Sequence, residues 1–284
     1  MQLWRGAARW LVAAAVAASA LLIPARAAPA DGSVHQLTIR ASEFVFQAPA
    51  RVPGGWTRIT IRNVGDEAHQ AQVARLNPGV GFGQLQAAAA KGPSAVVPLV
   101  TPVGGPNEVA PGRTASTIDL LTPGRYALIC FVYSPDGTEH DAKGMLKPLT
   151  VTAVTGHTTP PAPNAVITLK DFSYVFPARV HGHGVIAVRN EGTQDHEMVL
   201  YHLHPGATLA DARQYLLTPP GSPPPIPAPG EPVGGITGVA PGDTGYVDLA
   251  VPPGRYVAVC FFPDPTRNGL PHAVEGMLQG VTIR

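Results

Sequence analysis

The chain has 284 residues, of which 45% are apolar and only 14% charged, and a net charge of +1 at neutral pH. That balance excludes a basic surface built to hold nucleic acid. The 31 glycines and 32 prolines exclude a mainly helical protein and point to short strands joined by many turns, in a chain long enough for two domains.

The N-terminus reads as an export leader. Arg5 and Arg9 precede the apolar run Trp10 to Ile23, and Ala25-Arg26-Ala27 offers a small-x-small processing site. The run is short for a membrane span of about 20 residues. Residues 1–27 are therefore read as a signal peptide, and the mature chain is expected outside the cytoplasm, periplasmic or extracellular, with no spanning segment.

From His35 the pattern alternates. Gln36 to Arg40 and Phe44 to Phe46 read as strands, Pro53-Gly54-Gly55 as a turn, and Trp56 to Arg62 as a strand with Ile59 and Ile61 on one face. The strand ends in Asn63-Val64-Gly65-Asp66-Glu67-Ala68-His69, and Gln70 to Leu76 follows as another. Phe82, Leu85 and Ala89 fall at helical spacing, which predicts a short helix over 81–90. A Gly/Pro-rich loop is expected over 92–111, then a strand over Thr114 to Leu120 and a tight turn at Pro123-Gly124-Arg125. In Tyr126 to Phe131 the period of two places Cys130 on one face with Tyr126 and Leu128. His140, Gly144 and Met145 follow, and Leu146 to Thr152 closes the set.

The chain then repeats itself. Thr155 to Pro163 is a proline-rich linker. Ala165 to Lys170, Phe172 to Phe176 and Gly184 to Asn190 match the opening strands, and Asn190-Glu191-Gly192-Thr193-Gln194-Asp195-His196 matches the segment ending at His69. Thr208 with Asp211 forms a capping box ahead of a helix, and the proline-rich stretch after it is read as loop. Ala240-Pro241-Gly242 echoes Ala110-Pro111-Gly112, and Tyr256 to Met277 echoes Tyr126 to Met145, with Cys260, His272, Gly276 and Met277 in the matching places. The fold class expected is all-β: two tandem Greek-key β-sandwich domains at 31–153 and 164–284, joined by the linker 154–163, each with a short helix in a long loop.

Cys130 and Cys260 are the only cysteines. Each would lie within its own sandwich, so a disulfide would need Cα atoms of two separate cores within ~7 Å, which argues against one without removing it. Unbridged cysteine in an exported protein then has two readings, a metal ligand or a small buried apolar residue. His181 and His183 read as a solvated turn, His202 and His204 as partly exposed residues of an edge strand, Met198 as core, and His35 and His157 as without signal.

Each repeat resembles a cupredoxin, the blue-copper β-sandwich family. The resemblance rests on Asn63-x-Gly65-x3-His69 with Cys130, His140 and Met145, and on Asn190-x-Gly192-x3-His196 with Cys260, His272 and Met277; the most specific pieces are His140 to Met145 and His272 to Met277. It implies that His69, Cys130 and His140 hold copper in a trigonal plane with Met145 as a weak axial ligand. His196, Cys260, His272 and Met277 would do the same in the second repeat. Asn63 and Asn190 would pin the ligand loops. A thiolate, two imidazoles and a thioether suit a one-electron Cu(I)/Cu(II) couple, shielded by aromatic neighbours such as Phe131 or Phe261.

The sequence departs from the family in one respect. Nine residues separate Cys130 from His140 and eleven separate Cys260 from His272, a much longer loop than typical electron carriers have. The function expected is an exported copper protein used for one-electron transfer or for holding and delivering copper. Its redox or copper-exchange partner is unknown, and it is not an enzyme, since the histidine clusters of a trinuclear centre are not seen. Electron transfer implies an apolar patch beside an exposed ligand histidine. The alternative is a metal-free binding or structural module on the same scaffold.

Overall fold

The computed structural model describes residues 34–156 and 159–284; the expected leader and His157 lie outside them. The first half runs β1 (His35–Ser42), β2 (Val45–Gln47), β3 (Arg51–Asn63), β4 (Gln72–Leu76), helices α1 (Phe82–Ala89) and α2 (Pro93–Val96), β5 (Val100–Gly104), β6 (Thr114–Leu121), β7 (Gly124–Ile129) and β8 (Leu146–Val154). The second runs β9 (Ala165–Lys170), β10 (Ser173–Val175), β11 (His183–Asn190), β12 (His196–Leu203), α3 (Leu209–Leu216), β13 (Gly230–Val239), β14 (Thr244–Ala250), β15 (Gly254–Val259), β16 (Pro263–Asp264), β17 (Leu270–Pro271), α4 (His272–Glu275) and β18 (Leu278–Ile283). Among the described residues no helix is long and apolar enough to cross a membrane.

Alternation along the strands builds each core. In β7, Tyr126 and Leu128, with Cys130 just beyond, face the main core of the first half, packed with Leu37 and Ile39 of β1 and Ile59 and Ile61 of β3. Ala127 and Ile129 face the other way, against Leu85, Ala88 and Ala89 of α1. In the second half Tyr256, Ala258 and Cys260 face inward, while Val257 and Val259 pack against Ala212 of α3. Each half is thus a β-sandwich whose helix covers the outside of one sheet. Helix α3 starts where the sequence places it: the Thr208 hydroxyl accepts from the Asp211 amide, and the Asp211 carboxylate returns a bond to the Thr208 backbone.

Three expectations change. Pro53-Gly54-Gly55 is not a turn but the point where β3 passes from one sheet to the other. Arg51, Val52 and Gly54 pair with β8, and Gly55 to Arg62 pair with β6. Gly55 turns the strand at φ +125, and a Cβ there would meet the carbonyl oxygen of Thr155 at 2.7 Å. The expected loops over 92–111 and 219–232 contain β5 and the start of β13, glycine- and proline-bearing strands held by pairing with β4 and β12. Tertiary pairing here overrides poor local propensity. Strand β12 is flanked by β13 and β15, so His202 is not on an edge; it is half-buried and stacked on Tyr256 at 4.6 Å.

The two halves share a sheet. Strand β6 pairs antiparallel with β14 through Ile118 with Tyr246, Thr117 with Val247 and Ser116 with Asp248. Thr117 and Val247 occupy the same place in the two repeats, so each strand lies beside its own counterpart. Arg58 of β3 forms an ion pair with Asp248, and Trp56 meets Tyr246 edge-on at 5.4 Å. Buried polar bonds cross between the halves, including the Gly238 amide donating to Gln72 Oε1 at 2.8 Å and the Thr237 hydroxyl donating to the Gly105 carbonyl at 3.0 Å.

Asp119, 2% exposed at this seam, accepts from the Thr117 hydroxyl on one oxygen only. Burial pushes its carboxyl up to about 7. The unfolded chain releases that proton near pH 4, roughly. The folded protein therefore binds the extra proton between those values, and stability from this group is lost as pH rises across that window. Asp119→Asn removes the dependence. The variant is expected to gain on the wild type by on the order of 4 kcal/mol between about pH 4 and 8, read from unfolding curves of both proteins. A wild-type-to-variant gap that stays level with pH would show that this carboxyl is not proton-linked to folding.

Candidate metal centres

His69, Cys130 and His140 come together in the first half, and His196, Cys260 and His272 in the second; all six are fully buried. In each group one ligand atom per residue lies within 4.8 Å of the others. Cys130 Sγ is 3.4 Å from His140 Nδ1, which is 3.1 Å from His69 Nδ1. Cys260 Sγ is 3.5 Å from His272 Nδ1 and 4.0 Å from His196 Nδ1, and the two Nδ1 atoms are 3.0 Å apart. Three donors bound at about 2.0–2.3 Å to a common ion stand roughly 3–4 Å from one another, so both groups have the spacing of a ligand set.

The local chain explains the convergence. His69 follows β3 and is held to Val109 by two backbone bonds, 3.2 and 2.9 Å. Asn63 ties the loop down: its amide donates to the carbonyls of Glu67 at 2.7 Å and Val109 at 2.9 Å, and its oxygen accepts from the Gly65 amide. Asn190 makes the same bonds to Gln194, Val239 and Gly192. The glycine of the motif answers to crowding: a Cβ on Gly65 would lie 2.3 Å from the Glu43 carboxylate, and one on Gly192 2.3 Å from Asp171 and 2.7 Å from His196 Nε2.

The long cysteine-to-histidine segments close on themselves as hairpins. The His140 amide donates to the Val132 carbonyl and the Asp141 amide to the Cys130 carbonyl, both at 2.9 Å. In the second half His272 pairs with Phe262 and Ala273 with Cys260, and β16 and β17 form the arms. The histidine thus returns beside the cysteine whatever the length of the tip. Met145 and Met277 follow directly, fully buried, each donating its backbone amide to the ligand histidine's carbonyl and accepting from the cysteine amide on its own carbonyl.

Three of the four outer nitrogens, those of His140, His196 and His272, are anchored by hydrogen bonds to groups that the sequence reading missed, while His69 Nε2 has no hydrogen-bond partner. His140 Nε2 faces Glu67 Oε2 at 2.9 Å, and Glu67 also accepts from Ser134 in the hairpin. His69 Nε2 lies 3.5 Å from Glu43. His196 Nε2 meets Asp171 at 2.6 Å, and His272 Nε2 meets Gln194 Oε1 at 3.1 Å. Burial works against ionisation of Glu43 and Asp171, but bonds from the backbone amides of Glu67 and Asp66 to Glu43, and from Thr193 and His196 to Asp171, hold both down at about 2. At His140, His196 and His272 these acceptors place the ring proton on Nε2 and leave the Nδ1 lone pair facing the sulfur and the neighbouring ring. Close-set lone pairs repel; a cation among them converts that repulsion into ligation. Thiolate with two imidazoles is a donor set that suits copper, and each of the two groups could hold one copper ion.

The aromatic shield also differs from expectation. Phe44 meets His140 edge-on at 5.1 Å, and Phe172 lies 4.6 Å from His272 and 6.1 Å from His196. Phe131 and Phe261 instead pack outward toward α1 and α3, because they sit one residue past the inward-facing cysteines. The signal that could have found the right residues is the repeat itself: Glu43-Phe44 and Asp171-Phe172 place an acid and a phenylalanine at matching positions. The expected exposed ligand histidine is absent among the described residues, since the hairpins and phenylalanines cover all four rings. His181 and His183 are exposed, and Met198 lies in the core.

No protein-family model and no curated protein matches the chain. Solved structures similar to it include a multicopper oxidase, at 15% identity over 90% of this chain and 91% of that one, with a TM-score of 0.28. A dithionite-reduced auracyanin from Roseiflexus castenholzii is 20% identical over 44% of this chain and 99% of that one, TM-score 0.27. A copper-containing nitrite reductase from Thermus scotoductus is 13% identical over 88% and 61%, TM-score 0.24. The likeness is loose at these scores, and the case for copper rests on the donor atoms.

Burial pushes the Cys130 thiol up to about 12 and lowers His272 to about 4, the latter with added repulsion from His196. At neutral pH the metal-free site therefore carries a thiol proton and neutral imidazoles. Copper loading is expected to release about one proton per site, from the thiol, so apparent affinity should rise about tenfold per pH unit per site between pH 7 and 9. Proton release measured calorimetrically in buffers of different ionisation enthalpy checks this; release of two or more per site would mean that imidazolium protons are also displaced.

Proposed function

We propose that the protein is an exported carrier of two coppers, its halves acting as tandem cupredoxin-like domains 31–153 and 164–284, each with one type 1-like site used for one-electron transfer. The observation that carries this reading is the doubled constellation of a buried thiol with two imidazole Nδ1 atoms, in which His140, His196 and His272 are fixed from behind by Glu67, Asp171 and Gln194. Copper, when bound, supplies a Cu(I)/Cu(II) couple in which sulfur favours the reduced state and imidazole accepts both. Everything else is done by the chain. The carboxylates and Gln194 hold the rings in place, so little has to move between states. Phe44 and Phe172 keep water from the imidazoles. Met145 and Met277, tied by their backbones between cysteine and histidine, would offer a thioether as a further weak donor.

Complete burial of all six donors favours retention of copper over delivery to another protein, because exchange needs an accessible ligand; it also departs from the exposed histidine expected of an electron carrier, so in this proposal the electron passes through the cover over the rings. Both groups being of one His/Cys/His kind favours a carrier over an oxidase. The leader Arg5 to Ala27 supports export, and the redox partner is then a one-electron donor or acceptor outside the cytoplasm.

Mature apo protein loaded with Cu(II) and freed of excess is expected to bind two coppers and to show an intense thiolate-to-copper charge-transfer band that disappears reversibly on reduction. Cys130→Ser and Cys260→Ser should each remove one copper and about half the band. Copper should be lost only slowly to a Cu(I) chelator. Binding without a thiolate band would sink the electron-transfer reading, rapid loss to the chelator would favour delivery, and no binding in either oxidation state would favour a metal-free module.

A further inference from the structure

We propose that Asn107, a residue of the first half, is a positioning residue for the copper site of the second half, acting through Glu197. The inference rests on the copper reading above and adds to it a dependence of one site on the other half of the chain.

Asn107 is fully buried and Glu197 is 5% exposed. Glu197 stands next to the ligand His196, and its backbone amide donates to Cys260 Sγ at 3.4 Å. Its side chain is held at both oxygens. Oε1 accepts from the amide of Phe261, the residue after Cys260, at 2.9 Å. Oε2 accepts from the Asn107 side-chain amide, also at 2.9 Å. Asn107 is fixed in turn, because the same amide nitrogen donates to the Ile236 carbonyl and its oxygen accepts from the Glu108 amide. The Tyr174 hydroxyl closes the cage on the Glu197 carbonyl. A side chain of the first half therefore decides where the Glu197 carboxyl sits, and that carboxyl grips the backbone on the far side of the Cys260 ligand.

The arrangement is not reciprocal. Gln70 stands where Glu197 does, and Thr237 where Asn107 does. The Thr237 hydroxyl goes instead to the carbonyls of Gly104 and Gly105. Among the described residues no side chain of the second half bonds Gln70 beside His69 in this way; the nearest parallel is the Tyr201 hydroxyl, which donates to Glu108 at 2.8 Å. Asn107 thus holds and aims an acidic group beside Cys260, an outer contact of the kind that tunes a metal site without touching the metal.

The test uses the full, copper-loaded chain. Cys130→Ser leaves the second site to be read alone, and Cys260→Ser the first. In the Cys130→Ser background, Asn107→Ala is expected to shift the charge-transfer band and to change the Cu(I)-to-Cu(II) affinity ratio about tenfold, about 59 mV in potential for one electron. In the Cys260→Ser background the same change should leave band and potential in place. Glu197→Gln, which keeps the side-chain volume, should move the second site's band as well, and the Asn107→Ala and Glu197→Gln shifts should not add. Glu197→Gln alone carries the test where Asn107→Ala does not fold. An unmoved band, or equal shifts at both sites, would overturn the proposal while leaving the copper reading standing. No band in the parent Cys130→Ser protein would overturn the copper reading, and this proposal with it.

Discussion

Putting two imidazoles and a sulfur within a few ångströms of one another, away from water, is costly, and less so for each outward-facing ring nitrogen that finds an acceptor. Much of each half can be traced to that constraint. The acid at the end of the first strand of each half, Glu43 or Asp171, reaches behind one histidine. The residue two before that histidine, Glu67 or Gln194, reaches behind the other. Asn63 and Asn190 fix the loops that carry these partners, and glycine is required beside the acid because no Cβ fits there. The donors are therefore aimed by the protein before any metal arrives, which is the condition for a site that changes charge with little movement.

The same constraint accounts for the long cysteine-to-histidine segments. A short loop leaves the second histidine near the surface. Here the extra residues fold into a hairpin whose backbone bonds return the histidine to the cysteine, and in the first half its Ser134 steadies Glu67. The insertion adds a layer of cover and a further hydrogen bond, and the ligand order is untouched.

The donors were legible in the sequence because each is a rare residue placed at a strand end and then repeated. Cys130 was assigned its face by alternation alone, and Thr208 with Asp211 announced a helix start by chemistry that acts over three residues. The groups behind the imidazoles were not legible, because Glu43 and Asp171 come from another strand and look like surface acids. Nearness in sequence points to Phe131 and Phe261 as shields, but the alternation that places the cysteines inward turns both outward. Strands β5 and β13 escaped notice since glycine and proline signal loops unless a neighbour supplies the pairing. The bonds of Asn107 and Gln72 to the other half depend on how two copies meet, which no single repeat encodes.

That meeting has one further consequence. Thr117 of β6 lies opposite Val247, its own counterpart in β14, so the strand pair is antiparallel about a local two-fold axis. This is the geometry of an isologous homodimer, written here into a single chain. A half set free from its partner would present β6 as an open edge already shaped to receive a copy of itself, with Thr117 facing Thr117. The linker then does more than join two sandwiches: it makes the contact intramolecular, keeps it at a high effective concentration, and lets the two sides of the seam differ, as Asn107 and Thr237 do.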